Sequence, residues 1–181
     1  MTQKRKTSSK QDIKEALTLL LQEYHFEEIS ISQLTKKAGI NRSTFYLHYV
    51  DKYDMMEQLK EETIAHLKHF LVKQDLSNQA TILQALIYLK SDYDFIRAIS
   101  ENPYVDFKQA IKDFVWEVIQ SLPKIKQHLE NFYQIPADYA REVYLASVES
   151  IISRWIITGI KESPKEITQI IMQISDFGDW H

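Results

Sequence analysis

A chain of 181 residues with 44% apolar content is long enough to bury a core, and its 3 Gly and 4 Pro leave too few turn residues for an all-β fold. It has no cysteine, which excludes disulfides and thiolate metal sites, and no apolar run of signal-peptide or membrane-helix length, so an all-α, cytoplasmic protein with no membrane partner is expected. The net charge of -3 is unevenly spread: residues 1–53 hold nine Lys or Arg against six Asp or Glu, and residues 54–181 hold thirteen against nineteen, so the basic end suits a polyanion.

In chain order, Lys4, Arg5 and Lys6 read as a polar arm, with Ser8 or Ser9 capping a first helix. Ile13, Ala16, Leu17, Leu20, Leu21 and Tyr24 form its apolar stripe. Phe26 and Ile29 close a turn, and Ser30 or Ser32 caps a second, short helix carrying Ile31, Leu34 and Ala38. Gly39 supplies the positive φ that ends it, Asn41 caps a third helix from Arg42, and Phe45 returns to the interior. Helices this short are not stable alone, so packing must hold them while their outer faces serve another task. Those faces carry Ser32, Thr35, Lys36, Lys37, Asn41, Arg42, Ser43, Thr44, Tyr46 and His48, and no acidic residue occurs from Ser30 to Val50. A merely solvated surface would mix Glu with Lys. This set instead suits phosphate oxygens and base edges in a major groove.

The order AGINRSTFYLHYVDKYDMM, preceded by an amphipathic helix and ISISQLTKK, resembles the DNA-binding domain of the TetR (tetracycline-repressor) family of transcriptional regulators. The matching residues are Ala38, Gly39, Ile40, Tyr46, His48, Tyr49 and Lys52, over roughly residues 9 to 60. Tyr49 stands where the family more often has Phe, which is tolerated if its hydroxyl reaches water or a backbone acceptor. The resemblance implies a helix-turn-helix domain over residues 1–53, whose partner is double-stranded operator DNA.

Asp51 reads as the cap of a long fourth helix, about 52–72, with Tyr53, Met56, Leu59, Ile64, Leu67, Phe70 and Leu71 on one face and Lys52 placed to reach a phosphate. Gln74 to Gln79 form a linker into a helical domain over 74–181. A helix with a break near Ser91 to Asp94 ends at Asn102-Pro103, another runs from about Val105 to Leu122, and a short piece carries Ile125, Leu129, Phe132 and Tyr133. A long helix from about Ala137 to Ile160 and an Ile-rich helix beyond Ser163-Pro164 have apolar faces too broad for one small body, which favours a homodimer. Ile151, Trp155, Ile170 and Ile174 are the candidates for its seam. This last third is similar to the C-terminal domain common in TetR-type regulators of low-GC Gram-positive bacteria.

The expected function is a DNA-binding regulator, a repressor by default, reading a palindromic operator as a homodimer. The resemblance implies a small-molecule effector between the middle helices, lined by Tyr88, Tyr93, Phe95, Phe114, Trp116 and Trp155, although such an aromatic stripe more often makes core than pocket. The rival is an activator or co-regulator whose body binds a protein. His66 and His69 could share a metal ion and make the chain zinc-responsive, though HxxH at helical spacing often arises by chance. Asp176, Asp179 and His181 suggest the same with less reason. No Gly-rich phosphate loop, nucleophile elbow or HExxH pattern occurs, so neither an enzyme nor a cofactor is expected.

Overall fold

No Gly or Pro interrupts the opening residues, and Lys, Arg and Gln are good helix formers. In the computed structural model, which describes residues 2–72, 79–102, 104–120 and 122–174 (side chains of 2–8 and 69–72 excepted), the first helix, α1 (Thr2–Leu21), therefore starts ahead of the serines expected to cap it. The Lys4–Lys6 stretch is helical backbone rather than a free arm, and Ser9 is an interior, buried residue. Ile13, Ala16, Leu17 and Leu20 are buried on the expected stripe, whereas Tyr24, past the helix end, is exposed.

A 3-10 turn (Phe26–Glu28), α2 (Ile31–Lys37), α3 (Arg42–Tyr46) and the long α4 (Lys52–Val72) follow. Asp51 does cap α4, its Oδ1 accepting from the N–H groups of Tyr53 and Asp54 at 2.8 Å each. Beyond it α5 (Gln79–Ser91) and α6 (Tyr93–Ser100) are separated at Asp92, inside the expected break. Apart from Gln79, which opens α5, the anticipated linker lies outside the described residues. The remaining helices are α7 (Phe107–Ile119), α8 (Ile125–Tyr133), α9 (Ala137–Ile157) and α10 (Pro164–Ile174). No strand occurs among the described residues.

The chain forms two compact units, Met1–Ala65 with Asp94–Val105, and His66–Tyr93 with Asp106–His181. The first therefore extends past residue 53, because Met55, Met56, Leu59 and Thr63 of α4 are buried in it. It also takes in α6, whose Phe95, Ile96 and Ile99 are buried, with the Lys14 ammonium 4.4 Å from the Phe95 ring centroid. Phe26, Tyr53 and Tyr104 make an aromatic trio in the same unit, with centroids 5.6, 5.3 and 5.1 Å apart.

In the second unit Ile119 of α7, Ile125 and Leu129 of α8, and Ala140, Tyr144, Leu145 and Val148 of α9 make one core, while α10 lies against α5 and α9. The α9–α10 corner is locked several times over. Gly159 takes φ +91°, the Ile160 N–H returns to the Trp155 carbonyl at 2.9 Å, and Trp155 Nε1 donates to the Glu162 carbonyl at 2.9 Å. Ser163 then starts α10, its N–H donating to Glu166 Oε2 at 2.7 Å while its Oγ accepts from the Glu166 N–H at 3.3 Å.

Candidate nucleic-acid interface

The corner between α2 and α3 follows from its residues. Ser30 Oγ accepts from the Gln33 N–H at 3.2 Å and Gln33 Oε1 accepts from the Ser30 N–H at 2.8 Å, a reciprocal cap that fixes the start of α2. At its end Gly39 adopts φ +66°, with the Gly39 N–H returning to the Lys36 carbonyl at 3.3 Å and the Ile40 N–H to that of Thr35 at 3.0 Å. Four residues, Ala38 to Asn41, thereby carry the chain from α2 into α3. Leu34 and Phe45, both fully buried, hold the two helices together.

Most of the anticipated contact residues then lie outward. Ser32, Lys36, Lys37, Asn41, Arg42, Ser43 and Tyr46 are exposed, and Thr44 is half-buried. Asn41 occupies the N-cap position of α3 but its side chain makes no cap hydrogen bond, so the amide is not committed to the helix. Thr35 differs from expectation. Only 4% exposed, it turns its hydroxyl back to the carbonyls of Ile31 at 2.9 Å and Ser32 at 3.2 Å, so it braces α2 from within. His48 is half-buried, and its Nε2 lies 3.0 Å from Ser9 Oγ, which ties the end of the reading segment to α1.

Lys52 has partners within its own unit. Its Nζ donates to the carbonyls of Phe26 at 2.9 Å, Glu27 at 2.8 Å and Ile29 at 3.0 Å, using all three of its donors. The ammonium lies 4.9 and 5.3 Å from the ring centroids of Phe26 and Tyr53, and the Tyr53 hydroxyl donates to Glu27 Oε2 at 2.8 Å. Lys52 thus clamps the 3-10 turn to the start of α4. The Tyr49 hydroxyl finds no acceptor: it is buried without a hydrogen-bond partner, and desolvation, with Glu62 and Asp54 adding to it, pushes its pKa well above the usual tyrosine range. Asp54 is held below the usual carboxylate range by the Gln58 amide and the Val50 N–H.

In the second unit the anticipated ligand and seam residues are scattered. Trp155, 1% exposed, serves the α9–α10 corner and reaches neither a protomer surface nor an open interior. Phe95 is buried in the first unit, whereas the other anticipated ligand residues belong to the second. Tyr88, Tyr93, Phe114 and Trp116 are half-buried, with the Tyr88 hydroxyl 3.1 Å from His66 Nδ1 and the Arg141 guanidinium 5.2 Å from the Trp116 ring centroid. Ile151 and Ile174 are half-buried and Ile170 is exposed. The His69 side chain and Asp176, Asp179 and His181 lie outside the described residues, among which no group of three His, Asp or Glu could hold a metal ion. No described helix is long and apolar enough to cross a membrane.

A short helix pair with an acid-free outer face, continued through one long helix into an all-helical body, defines the class of helix-turn-helix transcription regulators. The family model TetR_C_8, described as a transcriptional regulator C-terminal region, matches residues 77–176. The chain belongs to the TetR family of transcriptional regulators. It is 24% identical over 167 residues to the HTH-type transcriptional regulator YxbF of Bacillus subtilis, covering 88% of this chain but only 42% of that relative. Its fold is like that of a TetR transcriptional regulator from Streptococcus agalactiae (TM-score 0.67, 20% identity, 94% of this chain and 95% of that one). It is also like that of the dihydroxyacetone kinase operon activator DhaS (TM-score 0.62, 18% identity, 94% and 98%).

Proposed function

We propose that this regulator binds a two-fold operator as a homodimer, represses by default, and responds to a small molecule held in its second unit. The observation that carries the DNA-binding reading is the outer face of α2 and α3, where Lys36, Lys37, Asn41, Arg42, Ser43 and Tyr46 are exposed in a stretch free of carboxylates. Sequence enrichment from a random DNA pool tests it. The expected product is a palindrome whose half-site centres lie about one helical turn apart or a multiple of it. Arg42→Ala should then lose about 1–3 kcal/mol at one base position, if Arg42 makes a paired contact to a guanine edge. An Arg42→Ala protein with unaltered affinity and base preference would count against this assignment.

Dimerisation is supported by the outward residues of α9 and α10. Tyr139, Val143 and Ile157 on α9 and Ile170 on α10 are large apolar side chains left exposed on the single chain. The effector reading is supported by α7, where Phe107, Ile111, Phe114 and Trp116 are only half-buried despite their size. Of the rival reading, an activator working through a protein partner, the activation alone has a parallel, in the name of DhaS as an operon activator. A reporter gene placed behind the enriched operator distinguishes the two by the sign of its response.

A further inference from the structure

Leu47 is 69% exposed, in a segment whose other large apolar residues, Phe45 and Tyr49, are buried. Its backbone N–H bonds to the Ser43 carbonyl at 3.2 Å, so the helical path continues to it and sets its side chain one turn beyond Ser43, away from Phe45. Its nearest neighbours on that side, Ser43 and Thr44 one turn earlier, are polar, the first exposed and the second half-buried, and Val50 follows at 79% exposure. A leucine amid hydrogen-bond donors on a face without carboxylates contributes nothing to phosphate binding or to the core. The major groove nevertheless offers one apolar feature, the C5 methyl group of thymine. We propose that Leu47 is a specificity-determining residue that packs against a thymine methyl in each half-site. This rests on the DNA-binding reading above and adds a contact that none of the polar candidates can supply.

The test removes the methyl and nothing else. The operator enriched from a random pool is resynthesised with deoxyuridine at each thymine in turn, which leaves phosphates and base-pairing edges intact. One thymine per half-site should be sensitive in the parent, with affinity falling about four-fold per half-site, as for loss of one buried methyl-sized contact. Leu47→Ala, at an exposed position where folding is not at stake, should bind the thymine operator about as weakly as the parent binds the uracil one, and should no longer distinguish them. The inference is overturned if the parent is indifferent to uracil everywhere, or if Leu47→Ala keeps the parent's sensitivity. It is also overturned if the sensitivity disappears with Val50→Ser instead. A parent that enriches no sequence at all would remove the DNA-binding reading and this inference with it; a Leu47→Ala protein that binds but still senses the methyl removes the inference alone.

Discussion

Tyr49 places a phenol oxygen in the interior with nothing to donate to, although the ring itself packs against Phe45 at 5.5 Å between centroids. Tyr49→Phe keeps the ring and deletes the unsatisfied group, so we expect stability to rise by about 1 kcal/mol in urea unfolding. The pH dependence has a definite sign. The unfolded phenol ionises near 10.0 and the folded one later, so stability is undiminished below that pH and falls as pH rises beyond it. Tyr49→Phe should flatten part of that alkaline loss, and a variant less stable than the parent at neutral pH would show that the hydroxyl has a partner in solution. Lys52 yields the second prediction. Lys52→Met should cost about 1–3 kcal/mol by stranding carbonyls at the 3-10 turn, while the slope of operator affinity against salt stays unchanged. A slope shallower by about one ion would restore Lys52 to the phosphate.

At the scale of elements, the features legible in the sequence are those whose cause is local. Ser30, Gly39 and Asp51 each mark a helix end through atoms within a few residues of themselves, and the structure uses them as expected, while the return contacts of Gln33 and Glu166 that complete two caps were not anticipated. What was not legible depends on partners far along the chain. Nothing near Lys52 indicates that three carbonyls from 23 to 26 residues earlier converge on its ammonium. Thr35 and Trp155 carry groups suited to contact, and only the packing around them shows that they face inward. Exposed Leu47 was missed for the opposite reason, since an apolar residue in a short helix is by default assigned to the core. The shared helix α4 supports a third prediction. Leu67 is buried in the second unit while Met55 and Met56 belong to the first. Leu67→Ala should cost about 2–4 kcal/mol and blunt the change in operator affinity produced by a small-molecule extract of the cells, with little effect on affinity in its absence. A full response in a folded Leu67→Ala protein would make α4 a passive tether.

For the whole molecule, the proposed homodimer makes oligomeric state the quantity on which operator binding should turn, because each protomer of it would hold one half-site. Val143→Asp and Ile170→Asp place charges on exposed positions and should leave each chain folded, as read by circular dichroism. Both should shift the parent from dimer to monomer in sedimentation at micromolar concentration, with operator affinity lost in step. Trp155→Asp, by contrast, should unfold the second unit, since that indole is enclosed within the single chain. A monomeric parent would exclude the seam altogether. The separation of charge along the sequence, basic before residue 54 and acidic after, implies that high salt weakens the DNA contact without weakening an apolar seam.

The DNA-reading unit is not a continuous length of chain, and this limits how it could be transplanted. Phe95, Ile96 and Ile99 are buried in it, and Tyr104 completes the aromatic trio with Phe26 and Tyr53, yet all four come from beyond α5. A chimaera that joins residues 1–65 to the body of another regulator would leave these side chains behind, taking Phe95 from Lys14 of α1 and Tyr104 from Phe26 of the 3-10 turn. Such a graft would recover its reading head only where the recipient supplies apolar residues at the equivalent of α6, so recombination between relatives should succeed as a paired exchange of two segments and fail as a single one.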